Sequence, residues 1–228
     1  MDQGENPKEG DHHPSNPLKY ITERTSHTRQ FLPYIFILLA VLLIVIFLRL
    51  PGENRQPLDT ETLRTLGPET APVTITEFAD FGCFTCKAWH QLGIREEILA
   101  RYGDQVRFVW RDFPVTTPQS PRAAEAGWCA HDQGQFWVYH ENLYANAPGF
   151  SDPQLTTYAL EIGLDAQRFN DCLEGRKHQA TVENERLAAQ DLGLRSVPSF
   201  LVNQQRLIGP PSYDQLVAIV DEILASLE

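Results

Sequence analysis

Alternating and helical spacings of apolar residues divide the second half of the chain into strands and helices. Residues 73–78, VTITEF, alternate between β-branched and polar side chains, which predicts a strand. Residues 86–103 carry apolar side chains at helical spacing and end at Gly103, which predicts a helix. Residues 106–113, VRFVWRDF, predict a second strand.

A long helical region follows from about residue 121 to 192. It is interrupted near residues 146–153 and 162–167, and Ser151 and Asp165 are the expected N-caps of the helices that resume there.

The chain then returns to strand-like patterns. Residues 199–203 and 206–209 predict two short strands, and a closing helix begins after Ser212. A strand–helix–strand unit followed by an antiparallel pair and a final helix is the order of the thioredoxin fold. The predicted fold class is therefore α/β, with a helical subdomain inserted in the middle.

Residues 31–50, FLPYIFILLAVLLIVIFLRL, are apolar over the length of a bilayer core and carry no charge from Phe31 to Leu48. We predict a transmembrane helix here. The alternative is a cleaved signal peptide, but the run is long, begins thirty residues into the chain and lacks a small-residue cleavage site. Residues 1–30 are expected to be a disordered tail, and residues 51–71 a linker to a folded domain at 72–228.

The formal net charge of the 228-residue chain is −11. Residues 1–50 balance five acidic against five basic side chains, so the excess lies in residues 51–228. An acidic domain repels a phosphate backbone, so nucleic-acid binding is not expected.

Two cysteines three residues apart, Cys83 and Cys86, lie between the first strand and its helix. A helix N-terminus favours a thiolate, and thiolate is the attacking species in disulfide exchange. This placement favours a redox pair. Two alternatives remain: a zinc site that includes His90, which lacks a fourth ligand, and inert core thiols.

Three segments together resemble the DsbA-like branch of the thioredoxin superfamily: TEFADFGCFTCKAWH, RSVPSF and AAEAGWCAHDQGQFWVYHENLYAN. The resemblance is closest to membrane-tethered or secreted bacterial members with a helical insertion, here about residues 119–192. It extends over about residues 70–227 and implies a thioredoxin fold and a thiol–disulfide oxidoreductase.

The resemblance assigns roles to individual residues. Cys83 would be the nucleophile and Cys86 the resolving thiol. Val197 and Pro198 match the cis-proline loop that docks the substrate polypeptide. Glu77 matches a buried acid that relays protons to the resolving thiol; its alternative is an outward-facing strand residue.

One departure concerns the residues between the cysteines. Strong oxidases of this family carry Pro-His there, whereas this chain has Phe84 and Thr85. The direction of electron flow is therefore open. Lys87 could compensate for the missing histidine or be a solvated helix residue, and Trp89 and His90 are interpreted as packing residues.

A second pair, Cys129 and Cys172, lies 43 residues apart in the insertion. The resemblance implies a structural disulfide; free buried thiols and a second redox shuttle are the alternatives. Paired cysteines suit an oxidising compartment, which places the N-terminus in the cytoplasm and the catalytic domain outside a bacterial membrane.

The expected function is that of an extracytoplasmic dithiol oxidase, anchored in the bilayer through residues 31–50, that exchanges disulfides with client proteins. The resemblance implies that a DsbB-like or vitamin-K-epoxide-reductase-like membrane protein would reoxidise it. The alternatives are a tethered reductase or isomerase, and a non-catalytic redox-sensing module. The chain carries no phosphate loop or flavin signature, so no cofactor is expected, and the aromatic run FWVYHENLY is interpreted as core packing.

Overall fold

A computed structural model describes residues 38, 39, 42, 64–147 and 149–227 of the chain. Chain contacts separate two compact units, Met1–Arg55 and Gln56–Glu228. In the first unit, Leu38, Leu39 and Leu42 are helical and exposed.

The predicted tail at residues 1–30 lies outside the described residues. So do the rest of the predicted membrane span and the predicted linker up to residue 63. Among the residues that the structure does describe, no helix has both the length and the hydropathy to cross a bilayer.

A five-stranded mixed sheet forms the centre of the second unit. Its strands are β1 (Arg64–Leu66), β2 (Val73–Ala79), β3 (Val106–Asp112), β4 (Ser199–Val202) and β5 (Gln205–Ile208), in the spatial order β1-β3-β2-β4-β5. Strands β2 and β3 are parallel, and the other three pairs are antiparallel. The parallel pair and the antiparallel pair at the end agree with the predicted order of elements.

Strand β1 corrects the predicted linker at residues 51–71, because its residues 64–66 pair with β3. The sequence pattern missed it because Arg64, its first residue, is charged and yet buried. Its Nη2 atom lies 2.7 Å from Asp112 Oδ2 and 2.8 Å from Glu185 Oε2, and its guanidinium stacks on the Trp128 ring. A buried arginine needs such partners, and the hydrophobic periodicity of the sequence does not indicate where they are.

One face of the sheet packs on three helices: α1 (Phe84–Gln91), α2 (Ile94–Tyr102) and, at the end of the chain, α8 (Tyr213–Ala225). The predicted single helix at 86–103 is two, because Gly93 adopts a left-handed φ of 68° between them. Ser212 caps α8 as predicted, accepting a hydrogen bond from Gln215 N.

The insertion contains five helices: α3 (Ser120–His131), α4 (Phe136–Asn146), α5 (Asp152–Glu161), α6 (Ala166–Glu174) and α7 (Gln179–Asp191). The predicted N-caps are confirmed, since Ser151 forms a capping box with Gln154 and Asp165 accepts from Arg168 N. A further break before α4 was not predicted; Gly134 makes that turn with a positive φ.

The insertion packs directly over the loop that leads from β2 to α1. Phe136, Tyr139, Leu143 and Tyr144 of α4 share one apolar cluster with both Cys83 and Cys86. The aromatic run is thus core, as predicted, and it closes off the interior beneath the cysteine pair.

A disulfide joins Cys129 on α3 to Cys172 on α6, with a Cα–Cα distance of 5.8 Å. It closes a loop of 43 residues inside the insertion. The bond therefore crosslinks two helices that pack on each other.

We expect the Cys129→Ala/Cys172→Ala double substitution to lower the free energy of unfolding by about 4 kcal/mol, because the unfolded chain regains the entropy of that loop. Urea denaturation measures the difference, with Cys83→Ala/Cys86→Ala in both proteins so that the other pair makes no contribution. Equal stability of the two proteins would contradict a structural role.

Candidate active site

Cys83 occupies the N-cap position of α1. Its backbone is extended (φ −87°, ψ 118°), and its Sγ accepts a hydrogen bond from the backbone N–H of Cys86 at 3.2 Å. Cys83 is 6% exposed and Cys86 is fully buried, and both are free thiols. The first sulfur therefore lies at the rim of the protein and the second lies beneath it.

The two thiols differ strongly in acidity. Hydrogen bonding from Cys86, aided by the backbone N–H groups of the first helical turn, lowers the pKa of Cys83 to about 7 despite partial burial. Burial, reinforced by the hydrogen bond to Cys83, raises the pKa of Cys86 far above its ordinary value. Near neutral pH, Cys83 is therefore the more readily ionised thiol of the pair, and Cys86 is the thiol that holds its proton.

The Val197–Pro198 loop lies against Cys83. Its peptide bond is cis, and the carbonyl oxygen of Val197 is 3.7 Å from the Cys83 sulfur. The loop is held in place because Gly209 N donates to the Pro198 carbonyl and the Ser199 hydroxyl donates to Ser196 O. The structure thus brings the predicted cis-proline segment to the predicted nucleophile.

Glu77 lies in the middle of β2, between Trp110 of β3 and Phe200 of β4. Its side chain is buried, so it is not an outward-facing strand residue. Burial raises the pKa of Glu77 to about 8, partly offset by the positive charge of Arg95. Glu77 is thus largely protonated at pH 7; once ionised, its carboxylate is close enough to raise the pKa of Cys86. Its relay role stays a prediction.

Asp80 is a site residue that the sequence analysis missed. Its buried carboxylate accepts hydrogen bonds from Gly82 N at 2.7 Å, Val115 N at 2.8 Å and Thr116 N at 2.7 Å. It therefore joins the cysteine loop to the loop that follows β3. The only sequence signal is an Asp directly after a buried strand, which is too common to single it out.

An exposed aromatic ring and a cavity flank Cys83, the predicted nucleophile. The Phe84 side chain is 83% exposed, and a cavity of about 330 Å³ beside it is lined by Phe81, Cys83 and Ala147 among others. Lys87 borders this cavity and donates to the Ala147 carbonyl at 3.4 Å, which links α1 to the end of α4.

Trp89 and His90 make packing and hydrogen-bond contacts, as interpreted. Trp89 is buried and donates to Pro211 O at 2.8 Å. His90 contacts Glu141 and stacks on Tyr144, so it does not join the two cysteines in a ligand set. In the described part of the chain, the groups that could hold a metal ion contain neither Cys83 nor Cys86.

The family model described as Thioredoxin matches residues 59–222. The chain belongs to the thioredoxin family. That match covers the sheet, the insertion and the cysteine pair, and it agrees with the mixed α/β fold described above.

Two curated relatives of this thioredoxin-family chain are named as antiporters. It is 36% identical over 172 residues to the Na(+)/H(+) antiporter NhaA 3 of Salinispora tropica, a match that covers 75% of this chain and 26% of that protein. It is 34% identical over 165 residues to the Na(+)/H(+) antiporter NhaA of Herminiimonas arsenicoxydans, and this match covers 72% of this chain and 26% of that protein. The chain thus spans about a quarter of the length of these relatives.

Solved structures share the fold. A thioredoxin-like oxidoreductase from Silicibacter pomeroyi matches with 27% identity and a TM-score of 0.63, over 72% of this chain and 92% of that one. BdbD from Bacillus subtilis matches with 22% identity and a TM-score of 0.66, over 72% of this chain and 93% of that one. The thiol-disulfide exchange protein alpha-DsbA2 from Wolbachia pipientis matches with 24% identity and a TM-score of 0.64, over 71% of this chain and 87% of that one.

The Cys83 thiolate should titrate with a midpoint near pH 7, measured by thiolate absorbance or by the pH dependence of alkylation. We expect Cys86→Ala to raise this midpoint, because the largest stabilising hydrogen bond is lost. Thr85→Val is the matched control: it keeps the backbone N–H that faces Cys83, so the midpoint should not move. An unchanged midpoint in Cys86→Ala would contradict this account.

Glu77 should make stability depend on pH. The folded protein holds the Glu77 proton up to a pKa of about 8, whereas the unfolded chain releases it near 4.5. The stabilisation is therefore complete below pH 4.5 and is lost as the pH rises towards 8, a change on the order of a few kcal/mol. In Glu77→Gln the free energy of unfolding should differ less between pH 5 and pH 8.5 than it does in the parent. An unchanged difference would mean that another group causes the pH dependence.

Proposed function

We propose that this chain is a thiol–disulfide oxidoreductase of the DsbA type, acting on cysteines of client proteins. The observation that carries the proposal is the asymmetry of the pair. Cys83 is an N-cap thiol with a pKa of about 7 at the rim, and Cys86 is a buried thiol of high pKa beneath it. The Val197–Pro198 loop beside Cys83 supports the same function.

In the oxidase direction the pair begins as a disulfide. A client thiolate attacks the Cys83 sulfur, so a client–Cys83 bond forms and the Cys83–Cys86 bond breaks. Cys86 leaves as a thiolate in a buried environment where its pKa is high, so it takes up a proton. Glu77, which is protonated at neutral pH, is the group we assign to supply that proton.

A second client thiolate then attacks the client sulfur of the mixed disulfide. The client gains a disulfide and loses two electrons, and Cys83 leaves as a thiolate. Hydrogen bonds in the first turn of α1 stabilise that thiolate, which makes Cys83 a good leaving group and favours the reduced enzyme. This is the argument for the oxidase direction over the reductase or isomerase direction, despite Phe84 and Thr85 in place of Pro-His.

The exposed Phe84 ring and the cavity beside Cys83 offer an apolar surface to an unfolded client segment. Stacking and apolar burial there would hold the client cysteine against the nucleophile.

We also propose that residues 31–50 anchor the enzyme in a bacterial membrane, with the catalytic domain on the extracytoplasmic side. A membrane redox partner that accepts two electrons from the reduced pair would then lie in the same plane as its substrate, which raises the effective concentration. The proposal takes no transport activity from the antiporter relatives, because the chain spans about a quarter of their length.

Oxidation of a reduced, unfolded two-cysteine peptide by the oxidised protein tests the function. We expect Cys83→Ser to abolish turnover, because serine cannot form the mixed disulfide. The Cys129→Ser/Cys172→Ser variant, assayed below its unfolding temperature, should stay active, since that pair is not the shuttle. Retained turnover in Cys83→Ser would refute the proposal. A reduction potential near −120 mV supports the oxidase, and one near −270 mV supports the reductase.

A further inference from the structure

The face of the sheet that does not pack on α1, α2 and α8 holds an arginine-lined cavity of about 340 Å³. The cavity is lined by alternate residues of two parallel strands, because the register sets Thr74 opposite Arg107, Thr76 opposite Val109, and Phe78 opposite Arg111. Ala188 and Leu192 near the end of α7 also line it. Neither cysteine of the redox pair is part of this lining.

The arginines of this cavity carry hydrogen-bond donors that nothing satisfies. Within the described residues, Arg107 Nε and Arg111 Nη2 are buried and have no hydrogen-bond acceptor, and Arg111 Nε lies 3.2 Å from Glu185 Oε1 without forming a hydrogen bond to it. The Arg111 side chain is only 6% exposed. A buried charged donor without an acceptor destabilises the fold. An oxygen-bearing anion in the cavity would accept hydrogen bonds from these donors and so stabilise the folded protein.

Arg107 is the less neutralised of the two arginines that line the cavity. Arg111 lies 3.2 Å from Glu185, and Arg64, which shares Glu185 at 2.8 Å, has Asp112 as a second carboxylate partner at 2.7 Å. Arg107 pairs with Glu69 at 3.9 Å, and the Glu69 side chain is 71% exposed, so this contact neutralises it weakly.

The remaining lining sets the class of ligand. Phe78, Val109 and Leu201 give the cavity an apolar floor, and Thr74 and Thr76 add hydroxyl groups. A bare inorganic anion would leave that floor unfilled. Small-molecule sites combine an apolar lining with a few polar groups in this way.

We propose that this sheet face binds a small organic carboxylate with a compact apolar body. Arg107 and Arg111 bind its carboxylate, and the floor of the cavity contacts its body. The lining contains neither Cys83 nor Cys86, so the site differs from the one that carries the thiol chemistry.

Benzoate is the probe, with benzamide as an uncharged molecule of the same shape and inorganic phosphate as an anion without a body. Each probe is titrated into the full chain. Binding is measured by calorimetry and by the shifts of the Thr76 and Val109 amide signals in NMR spectra. We expect benzoate to bind and to shift those signals, and benzamide and phosphate to bind at least tenfold more weakly.

Arg107→Gln should weaken benzoate binding by about tenfold or more, because a charged hydrogen bond is lost. Thr76→Val is a second, isosteric variant that should weaken binding less. Arg101→Gln is the matched control: this half-exposed arginine lies on α2, away from the cavity, and should bind benzoate like the parent.

Equal binding of benzoate and benzamide, or unchanged affinity in Arg107→Gln, would overturn the site. Phosphate binding tighter than benzoate would overturn the assigned ligand class. Disulfide exchange by Arg107→Gln should match the parent, so a failure here is separate from a failure of the proposed redox function.

Discussion

The hydrogen bonds that the Cys83 sulfur accepts at the start of α1 are the interaction on which the site depends. They exist because the chain turns directly from β2 into α1, which leaves the first N–H groups of the helix without carbonyl partners. The hydrogen bond from the Cys86 side chain lowers the pKa of Cys83 most, and the backbone N–H groups of the first turn lower it further. The same geometry places Cys86 one turn inside, where no water compensates its charge.

The insertion makes this difference between the two thiols possible. Without α4 and its neighbours, the interior beside Cys86 and Glu77 would face solvent, and burial is the largest cause of both raised pKa values. The helices thus act on the chemistry through the dielectric environment that they impose. Asp80 complements them, because its three backbone contacts hold the cysteine loop at the edge of that dry interior.

Local signals in the sequence predicted the regular elements and the helix caps. Alternation identified β2, and Ser151, Asp165 and Ser212 marked where helices begin. These features depend on residues close together in the chain, where propensity and capping act directly.

Features that depend on distant partners could not be predicted in this way. Strand β1 begins with a buried arginine whose two carboxylate partners lie on β3 and α7. Asp80 binds amides 35 and 36 residues away, and nothing beside it in the chain indicates those donors. The placement of the cysteine pair at a helix start favoured a redox pair over zinc and inert thiols, whereas the separate roles of Cys83 and Cys86 came from the family resemblance.

The buried Arg64 has a consequence for how the protein matures. Its contact with Glu185 joins residues separated by 121 positions, and its other carboxylate, Asp112, also comes later in the chain. During synthesis from the N-terminus, Asp112 emerges together with β3, whereas Glu185 follows only with the last helix of the insertion. Arg64 therefore has one of its two carboxylate partners when β1 first meets β3, and it gains the second only when α7 docks.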